Sequence, residues 1–210
     1  MLRYHGLYAI TDDTLDDQLF FAVEAALSGG CRWVQYRSKR NAKQREQDAK
    51  QLLVLCHRYQ ASLLINDDVA LAQTVGADGV HLGQDDLPLT EARRVLGDQA
   101  IIGITCHDSL ALAQAAERDG ANYVAFGRFF PSNTKQSAPS ADLSILRDAK
   151  TQLRIPVVAI GGITLDNAPM VLREGADMLA VVGDLFFAPD IAAQARAYTA
   201  LFNEHTYDAF

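Results

Sequence analysis

Two doublets of acidic residues follow neighbouring apolar segments of the chain. The segment SLLIN (62–66) runs into Asp67-Asp68, and GVHLG (79–83) is followed by Gln84 and then Asp85-Asp86. If both segments are parallel strands of one barrel, their carboxyl ends meet at the same rim. Mg²⁺ takes one or two carboxylates together with substrate phosphates and water, so the spacing predicts a Mg²⁺ site with one aspartate from each doublet. Helix N-capping is the alternative use of each aspartate, and the residues alone leave open which member binds.

Cationic and amide side chains end an earlier apolar segment. Gln35, Arg37 and Lys39 alternate with Tyr36 and Ser38, directly after Trp33-Val34. On an extended strand, residues two apart share a face, so we expect the amide, the guanidinium and the ammonium to converge. Such a set suits a phosphate or a diphosphate. A solvated edge with surface charges is the alternative, and the apolar run before the trio argues against it.

Glycines occupy two later strand ends. AIGGI (159–163) and VVGDL (181–185) fall where a seventh and an eighth strand would end. Many barrels bind phosphate with the loops after these two strands, through backbone N–H groups and a helix N-terminus. An ordinary tight turn is the alternative for a lone glycine pair. Together with the cations and carboxylates, these glycines predict a Mg²⁺-assisted enzyme with a diphosphate subsite and a monophosphate subsite.

Two other motifs contain residues that could act as a nucleophile or a base, but we expect neither motif to be catalytic. Cys106 and His107 are adjacent, and adjacent residues on an extended chain face opposite sides, so a thiol–imidazole dyad is not expected. His81 lies inside an apolar segment. We interpret it as a buried, hydrogen-bonded histidine rather than a general base.

Strand-like and helix-like segments alternate along the whole chain. The strand-like segments are GLYAIT (6–11), RWVQYR (32–37), SLLIN (62–66), GVHLG (79–83), IIGIT (101–105), YVAFG (123–127), PVVAIGG (156–162) and MLAVVG (178–183). The helix candidates are Asp16–Ser28, Lys43–Tyr59, Val69–Val75, Leu89–Leu96, Ser109–Asp119, Leu143–Leu153, Leu165–Glu174 and Ile191–Phe202. Eight such pairs predict a single α/β domain over residues 1–210, a (β/α)₈ TIM barrel with a parallel eight-stranded core. An open doubly wound sheet is the alternative, but no G-x-G-x-x-G follows the first strand.

Four joins between a helix and the next strand share a signature. They read SGGCRWV, VGADGV, RDGANYV and REGADML. Each places a glycine just after the helix, where a left-handed conformation ends the helix in a tight loop. The long polar segment RFFPSNTKQSAPS (128–140) follows the sixth strand. On a barrel it would be a binding loop on the catalytic face.

Composition narrows the classes of function. The formal net charge is −7, and no run of Lys or Arg exceeds two residues, which disfavours a nucleic-acid surface. No run of about 18 apolar residues occurs, so we expect no membrane span. The three cysteines are never spaced as CxxC, and the N-terminus lacks the pattern of a secretory signal, so we expect a cytoplasmic protein. Whether the chain forms a homo-oligomer is left open.

The motifs resemble those of thiamine-phosphate synthases. LYAIT, QYRSK, INDD, DGVHLGQDD, IGITCH, FGRFFPSNTK, AIGGIT and LAVVG occur in that family's order, from Gly6 to about Phe187. The resemblance implies a transferase of thiamine biosynthesis that acts on two small molecules. It would condense 4-amino-2-methyl-5-hydroxymethylpyrimidine diphosphate with hydroxyethylthiazole phosphate or its carboxylate, releasing diphosphate, and CO₂ from the carboxylate. The step implied is dissociative, with the thiazole nitrogen capturing a pyrimidine-methyl cation.

The resemblance also assigns roles to residues. It implies that Mg²⁺ binds Asp67 and Asp86, which leaves Asp68 and Asp85 as expected caps or supporting residues. Catalytic roles fall to Lys39, Lys135 and Asn66. The pyrimidine diphosphate would bind Gln35, Tyr36, Arg37, Ser38, Lys39, Asn66, Thr105 and Lys135. The thiazole phosphate would bind Ser132, Asn133, Thr134, Gly162, Val182 and Gly183.

Four positions depart from the usual family pattern. Arg40 follows Lys39 where an acidic residue is usual, and Thr105 stands in place of a frequent serine. Arg128 and Gly183 replace a usual proline and a usual serine. A thiazole tautomerase-like barrel and a non-catalytic phosphate-binding barrel are the alternatives. The cationic trio and the acidic doublets argue against a tautomerase, which handles no diphosphate.

Overall fold

Eight parallel strands form a closed barrel in which each strand pairs with the next and the last pairs with the first. A computed structural model of the chain describes residues 4–131 and 140–205, with side chains up to residue 203. The strands are β1 (Gly6–Ile10), β2 (Trp33–Tyr36), β3 (Ser62–Asn66), β4 (Gly79–Leu82), β5 (Ile101–His107), β6 (Tyr123–Phe126), β7 (Val157–Ile160) and β8 (Met178–Val181). The predicted (β/α)₈ barrel is therefore confirmed, and the open doubly wound sheet is excluded.

Helices follow the strands and cover the outside of the barrel. They are α1 (Leu19–Ser28), α2 (Ala42–Arg58), α3 (Val69–Val75), α4 (Leu89–Leu96), α5 (Leu110–Arg118), α6 (Ser144–Gln152), α7 (Ala168–Arg173), α8 (Gly183–Phe186) and α9 (Ile191–His205). A 3₁₀ helix, Asp13–Gln18, precedes α1. In the described part of the chain, none of the helices combines the length and the apolar character that crossing a membrane requires.

Two helix predictions needed correction, and one short helix was not predicted. The helix predicted from Asp16 begins only at Leu19, because Asp16 lies within the 3₁₀ helix Asp13–Gln18 and has a non-helical φ of +38°. The helix predicted from Leu165 begins at Ala168, after a turn that Thr164 opens by accepting backbone hydrogen bonds from Asn167 and Ala168. The four-residue α8 was not predicted, because it begins at the glycine that ends an apolar run.

The barrel has two hydrophobic layers, because side chains of a strand alternate between its faces. Tyr8, Trp33, Leu64 and Tyr123 fill the interior, while Val34 and its counterparts on the other strands pack against the helices. Most strand residues are buried on both faces, as is usual for parallel strands. Burial of each Leu, Val or Phe side chain contributes about 1.5–3 kcal/mol to stability. The packed barrel in turn fixes the positions of the polar residues at the carboxyl ends of its strands.

The four predicted glycine joins are confirmed. Their glycines, Gly30, Gly76, Gly120 and Gly175, have φ values of +101°, +70°, +92° and +108°. These are left-handed conformations that end α1, α3, α5 and α7. The short loops that follow begin β2, β4, β6 and β8, and so set where each of these strands starts.

Candidate active site

A cavity of about 510 Å³ opens where β2 and β3 end. Its lining consists of Arg37, Ser38, Lys39, Arg45, Asn66, Asp67, Asp68, Val69, Ala70 and Leu87. The predicted cations Arg37 and Lys39, which follow β2, therefore share one cavity with the amide of Asn66 and the carboxylate of Asp67 at the end of β3. The carboxyl-terminal rim of a TIM barrel is where active sites form.

A carboxylate on the 3₁₀ helix holds the cationic segment in place. Asp13 accepts hydrogen bonds from the hydroxyl of Ser38 (2.5 Å) and from the backbone N–H of Lys39 (2.8 Å). Partial burial opposes ionisation, but these hydrogen bonds and the nearby Arg40 and Arg37 hold the pKa of Asp13 below its ordinary value. Within the described part of the chain, Arg37 and Lys39 form no ion pair with a carboxylate, so both cations are available to an anionic ligand.

Gln35 and Tyr36 lie below the cavity and do not line it. Gln35 is buried in the barrel, where its Nε2 donates to the hydroxyl of Tyr8 at 2.8 Å. Tyr36 points the opposite way and donates from its hydroxyl to Oδ2 of Asp48 on α2, at 3.0 Å. Burial raises the pKa of Tyr36 to about 12. The trio predicted on one face is thus divided, because β2 ends at Tyr36.

The first acidic doublet has two distinct environments. Asp68 is the N-cap of α3: its Oδ1 accepts from the backbone N–H of Leu71 (2.8 Å), and its Oδ2 pairs with Arg45 (3.0 Å). Asp67 has a φ of +62°, and its backbone N–H donates to the carbonyl of His81 on β4. The carboxylate of Asp67 accepts from Nδ2 of Asn66 at 2.6 Å. The expectation that Asp68 is a cap is confirmed, and Asp67 is the exposed member of the pair.

The second doublet is built differently. Oδ2 of Asp86 accepts from the backbone N–H of Gly83 at 2.6 Å, which turns the carboxylate back onto the end of β4. Asp86 itself is not among the residues that line the cavity, although the next residue, Leu87, is. Asp85 is exposed and does not cap α4, whose N-cap is Pro88. Of the two roles expected for Asp85, capping of α4 is therefore excluded, and a supporting role at the site stays a prediction.

His81 and Cys106, which lie near Thr105, have the buried positions that their interpretation as structural residues predicted. His81 is buried and hydrogen-bonded through both ring nitrogens, to the hydroxyls of Tyr123 and Thr105, each at 2.8 Å. Cys106 is buried, and burial raises the pKa of its thiol to about 12. A thiol that stays protonated at neutral pH is a poor nucleophile. The structure thus supports a structural Cys106 rather than a catalytic dyad with His107.

The glycine pair after β7 is crowded by the loop that follows β6. Gly161 and Gly162 have φ values of +99° and +65°. A Cβ on Gly162 would lie 2.4 Å from the carbonyl oxygen of Pro131, and the carbonyl of Gly162 accepts from Nδ2 of Asn167. After β8, Val182 caps α8 and Gly183 is its first residue. Ser132, Asn133, Thr134 and Lys135 lie outside the described residues.

Sequence reasoning missed two residues that hold the cavity together. Asp13 anchors the cationic segment, and Arg45 neutralises Asp68. A signal for Asp13 was present, because Asp12-Asp13 follows the first strand just as the other doublets follow theirs. No comparable signal marks Arg45, one of several charged residues on α2.

Comparisons with known proteins identify the family of the chain. Residues 7–185 match the family model described as thiamine monophosphate synthase. The chain is 55% identical over 205 residues to the thiamine-phosphate synthase of Marinobacter nauticus, covering 95% of this chain and 92% of that protein. It is 53% identical over 203 residues to the thiamine-phosphate synthase of Thioalkalivibrio sulfidiphilus, covering 95% and 96%. The solved thiamine phosphate pyrophosphorylase from Pyrococcus furiosus superposes with a TM-score of 0.87 at 35% identity, covering 96% of each chain.

Proposed function

The chain belongs to the thiamine monophosphate synthase family, and from this premise we propose that it forms thiamine phosphate. Its substrates would be 4-amino-2-methyl-5-hydroxymethylpyrimidine diphosphate and hydroxyethylthiazole phosphate or its carboxylate. The observation that carries the proposal is one cavity holding Arg37, Lys39, Asn66 and Asp67 at the rim of a barrel that matches the family along most of its length.

In the proposed reaction, the bond between the pyrimidine methylene carbon and the diphosphate oxygen breaks, and its electron pair leaves with the diphosphate. The lone pair of the thiazole nitrogen then forms the new carbon–nitrogen bond. Negative charge grows on the departing oxygen, so cations fixed beforehand at that position stabilise the transition state. Arg37 and Lys39 are suited to this role, because Asp13 fixes the segment that carries them.

Mg²⁺ is the metal that we propose for this site. The donor set fits, because Asp67 and Asp86 offer carboxylate oxygens at the ends of the adjacent strands β3 and β4. No group of three or more His, Cys, Asp or Glu side chains comes together in residues 4–131 and 140–203 to enclose a metal. Such an open set suits Mg²⁺, which keeps several waters and takes further oxygens from substrate phosphates. When bound, the ion would neutralise charge on the diphosphate.

The thiazole phosphate would bind at the ends of β7 and β8. Gly162, Val182 and Gly183 are the proposed contacts from the described residues, together with Ser132, Asn133 and Thr134. The support is chemical: glycines let a phosphate approach backbone N–H groups closely, and barrels often bind phosphate after these two strands. Lys135, from the same loop as Thr134, is proposed to act on the leaving diphosphate together with Lys39 and Asn66.

A coupled diphosphate-release assay tests the proposal. Purified protein with both substrates and Mg²⁺ should release diphosphate and form thiamine phosphate, and EDTA should stop the release until excess Mg²⁺ restores it. Omission of either substrate is the control. Absence of release from folded protein would overturn the synthase proposal. Conversion of the thiazole carboxylate phosphate without consumption of pyrimidine diphosphate would favour the tautomerase alternative instead.

A further inference from the structure

A line of hydrogen bonds crosses the interior of the barrel. Nε2 of Gln35 donates to the hydroxyl of Tyr8 (2.8 Å), and that hydroxyl lies 2.9 Å from the hydroxyl of Tyr123. The Tyr123 hydroxyl is 2.8 Å from Nδ1 of His81, and Nε2 of His81 is 2.8 Å from the hydroxyl of Thr105. The line therefore joins Gln35 and Thr105, two residues to which the family resemblance assigns binding of the pyrimidine diphosphate. It does so through three side chains, those of Tyr8, Tyr123 and His81, that have no role so far.

A glycine makes this line possible. Gly103 is the register partner of His81 on one side and of Tyr123 on the other. A Cβ at Gly103 would lie 1.9 Å from Cζ of Tyr123, so any other residue would displace the ring. With glycine there, the Tyr123 ring stacks on His81 at 5.6 Å between centroids. The stack brings the Tyr123 hydroxyl to Nδ1.

Counting donors and acceptors gives the line a direction. Burial raises the pKa of both Tyr8 and Tyr123, so each keeps its proton and donates one hydrogen bond. Tyr8 already accepts from Gln35, so its own proton goes to Tyr123, and the proton of Tyr123 goes to Nδ1 of His81. With the opposite direction, Tyr8 would accept twice and its O–H would find no acceptor among these side chains.

The direction decides what the line presents at its two ends. If Nδ1 of His81 accepts, the neutral ring carries its proton on Nε2 and donates to Thr105. The Thr105 hydroxyl then keeps its own proton for an acceptor outside the line. At the other end, Gln35 uses its Nε2 on Tyr8, so its Oε1 is left to accept. One end offers a donor and the other an acceptor.

We propose that Tyr8, Tyr123 and His81 form a relay that orients Gln35 and Thr105 for the pyrimidine ring, with His81 as the positioning residue for the Thr105 hydroxyl. A 4-aminopyrimidine carries ring nitrogens that accept and an exocyclic amino group that donates, which complements the two ends of the relay. A 4-oxopyrimidine reverses this pattern at the exocyclic group. The relay thus acts in recognition, and this role rests on the proposed function.

Nitrogen-15 NMR of histidine-labelled protein tests the relay without any substrate. We expect the neutral Nε2–H tautomer for His81 at pH 7, with the signal assigned through His81→Asn. Tyr123→Phe removes the donor to Nδ1 while keeping the ring, and should shift the tautomer populations. An Nδ1–H tautomer or an imidazolium in the wild-type protein would overturn the relay, whatever the enzyme's activity proves to be.

Kinetics test the consequence for binding. We expect Tyr123→Phe to raise KM for the pyrimidine diphosphate about tenfold, as expected for the loss of one hydrogen bond, and to leave KM for the thiazole phosphate unchanged. A merely destabilised protein would lose active fraction and kcat without this selective change in KM. Thr105→Val, which removes the hydroxyl at the end of the relay, should also raise KM for the pyrimidine diphosphate.

Tyr59→Phe is the matched control, because its hydroxyl bonds Glu24 on the outer helices. It should leave both KM values unchanged. Equal KM values for wild type and Tyr123→Phe would contradict the relay.

Discussion

Arg45 and Asp68 form an ion pair of 3.0 Å at the edge of the cavity, on α2 and at the start of α3. The other carboxylate oxygen of Asp68 caps α3 by accepting from the backbone N–H of Leu71. Both oxygens of Asp68 are therefore engaged by the protein. This distinguishes the two members of a doublet that residue types alone could not separate.

The first prediction contrasts these two aspartates. Asp67→Asn should reduce kcat at least a hundredfold and raise the Mg²⁺ concentration needed for half-maximal rate, because it removes a proposed metal ligand. Asp68→Asn should retain most of the activity and its Mg²⁺ dependence, because asparagine caps a helix about as well as aspartate does. It should lower stability by up to about 1 kcal/mol, through loss of the ion pair with Arg45. Rates over a Mg²⁺ titration and thermal melts of both variants make the measurement. Equal losses of activity would contradict the assignment.

Some features of the fold and of the site could be predicted from the sequence, and others could not. The strands and the left-handed glycines are local features, so the barrel and the grouping of Arg37 with Asp67 could be predicted from strand ends. The placement of Gln35 could not, because the period-two argument assumed a strand through Lys39 and β2 ends at Tyr36. Contacts such as Asp13 to Lys39 join residues 26 positions apart in the chain, and they depend on how separate elements pack.

The second prediction concerns Asp13, which fixes the Ser38-Lys39 segment. Asp13→Asn should raise KM for the pyrimidine diphosphate about fivefold to tenfold, because the cations lose a charged anchor. KM for the thiazole phosphate should not change. Steady-state kinetics with each substrate varied in turn make the test. Asp12→Asn, next to it in the chain, is the control, because Asp12 contacts Thr14 rather than the cationic segment.

The pH dependence of Asp13 follows from the direction of its pKa shift. The pKa of Asp13 is lower in the folded protein than in the unfolded chain. The stabilisation that its ionised carboxylate provides is therefore present above the unfolded pKa and is lost as the pH falls through the folded pKa. The wild type should therefore lose affinity for the pyrimidine diphosphate in acid more steeply than Asp13→Asn. Because this loss begins only below the ordinary aspartate pKa of 3.8, KM profiles of the two proteins that stay parallel below about pH 4 would contradict this role.

The third prediction concerns the buried thiols. Cys31, Cys56 and Cys106 are all buried, so a thiol reagent at pH 7.5 should find no fast-reacting cysteine in the native protein and three in denaturant. Burial raises the pKa of Cys56 and of Cys106 from 9.0 to about 12. Their neutral forms are favoured in the folded state. The contribution of these two neutral thiols to the stability of the folded protein is complete below pH 9 and is lost as the pH rises from 9 to 12.

Denaturant unfolding at several pH values between 8 and 11 checks this sign. Each thiol should add a slope of up to about 1.4 kcal/mol per pH unit to the alkaline loss of stability. Cys106→Ala should lower stability at pH 8 but lessen that slope. An unchanged slope in this variant would show that Cys106 does not titrate during unfolding.

The fourth prediction separates crowding from backbone strain at the proposed phosphate subsite. Gly162 and Gly76 have nearly the same φ, +65° and +70°, but only Gly162 is crowded. Gly76→Ala should therefore show the strain alone, a loss of stability of about 1–2 kcal/mol with unchanged kinetics. Gly162→Ala adds a contact of 2.4 Å with the carbonyl oxygen of Pro131, which the loop after β6 must relieve by moving. KM for the thiazole phosphate should rise more than tenfold, and equal kinetics in the two variants would refute a phosphate subsite at Gly162.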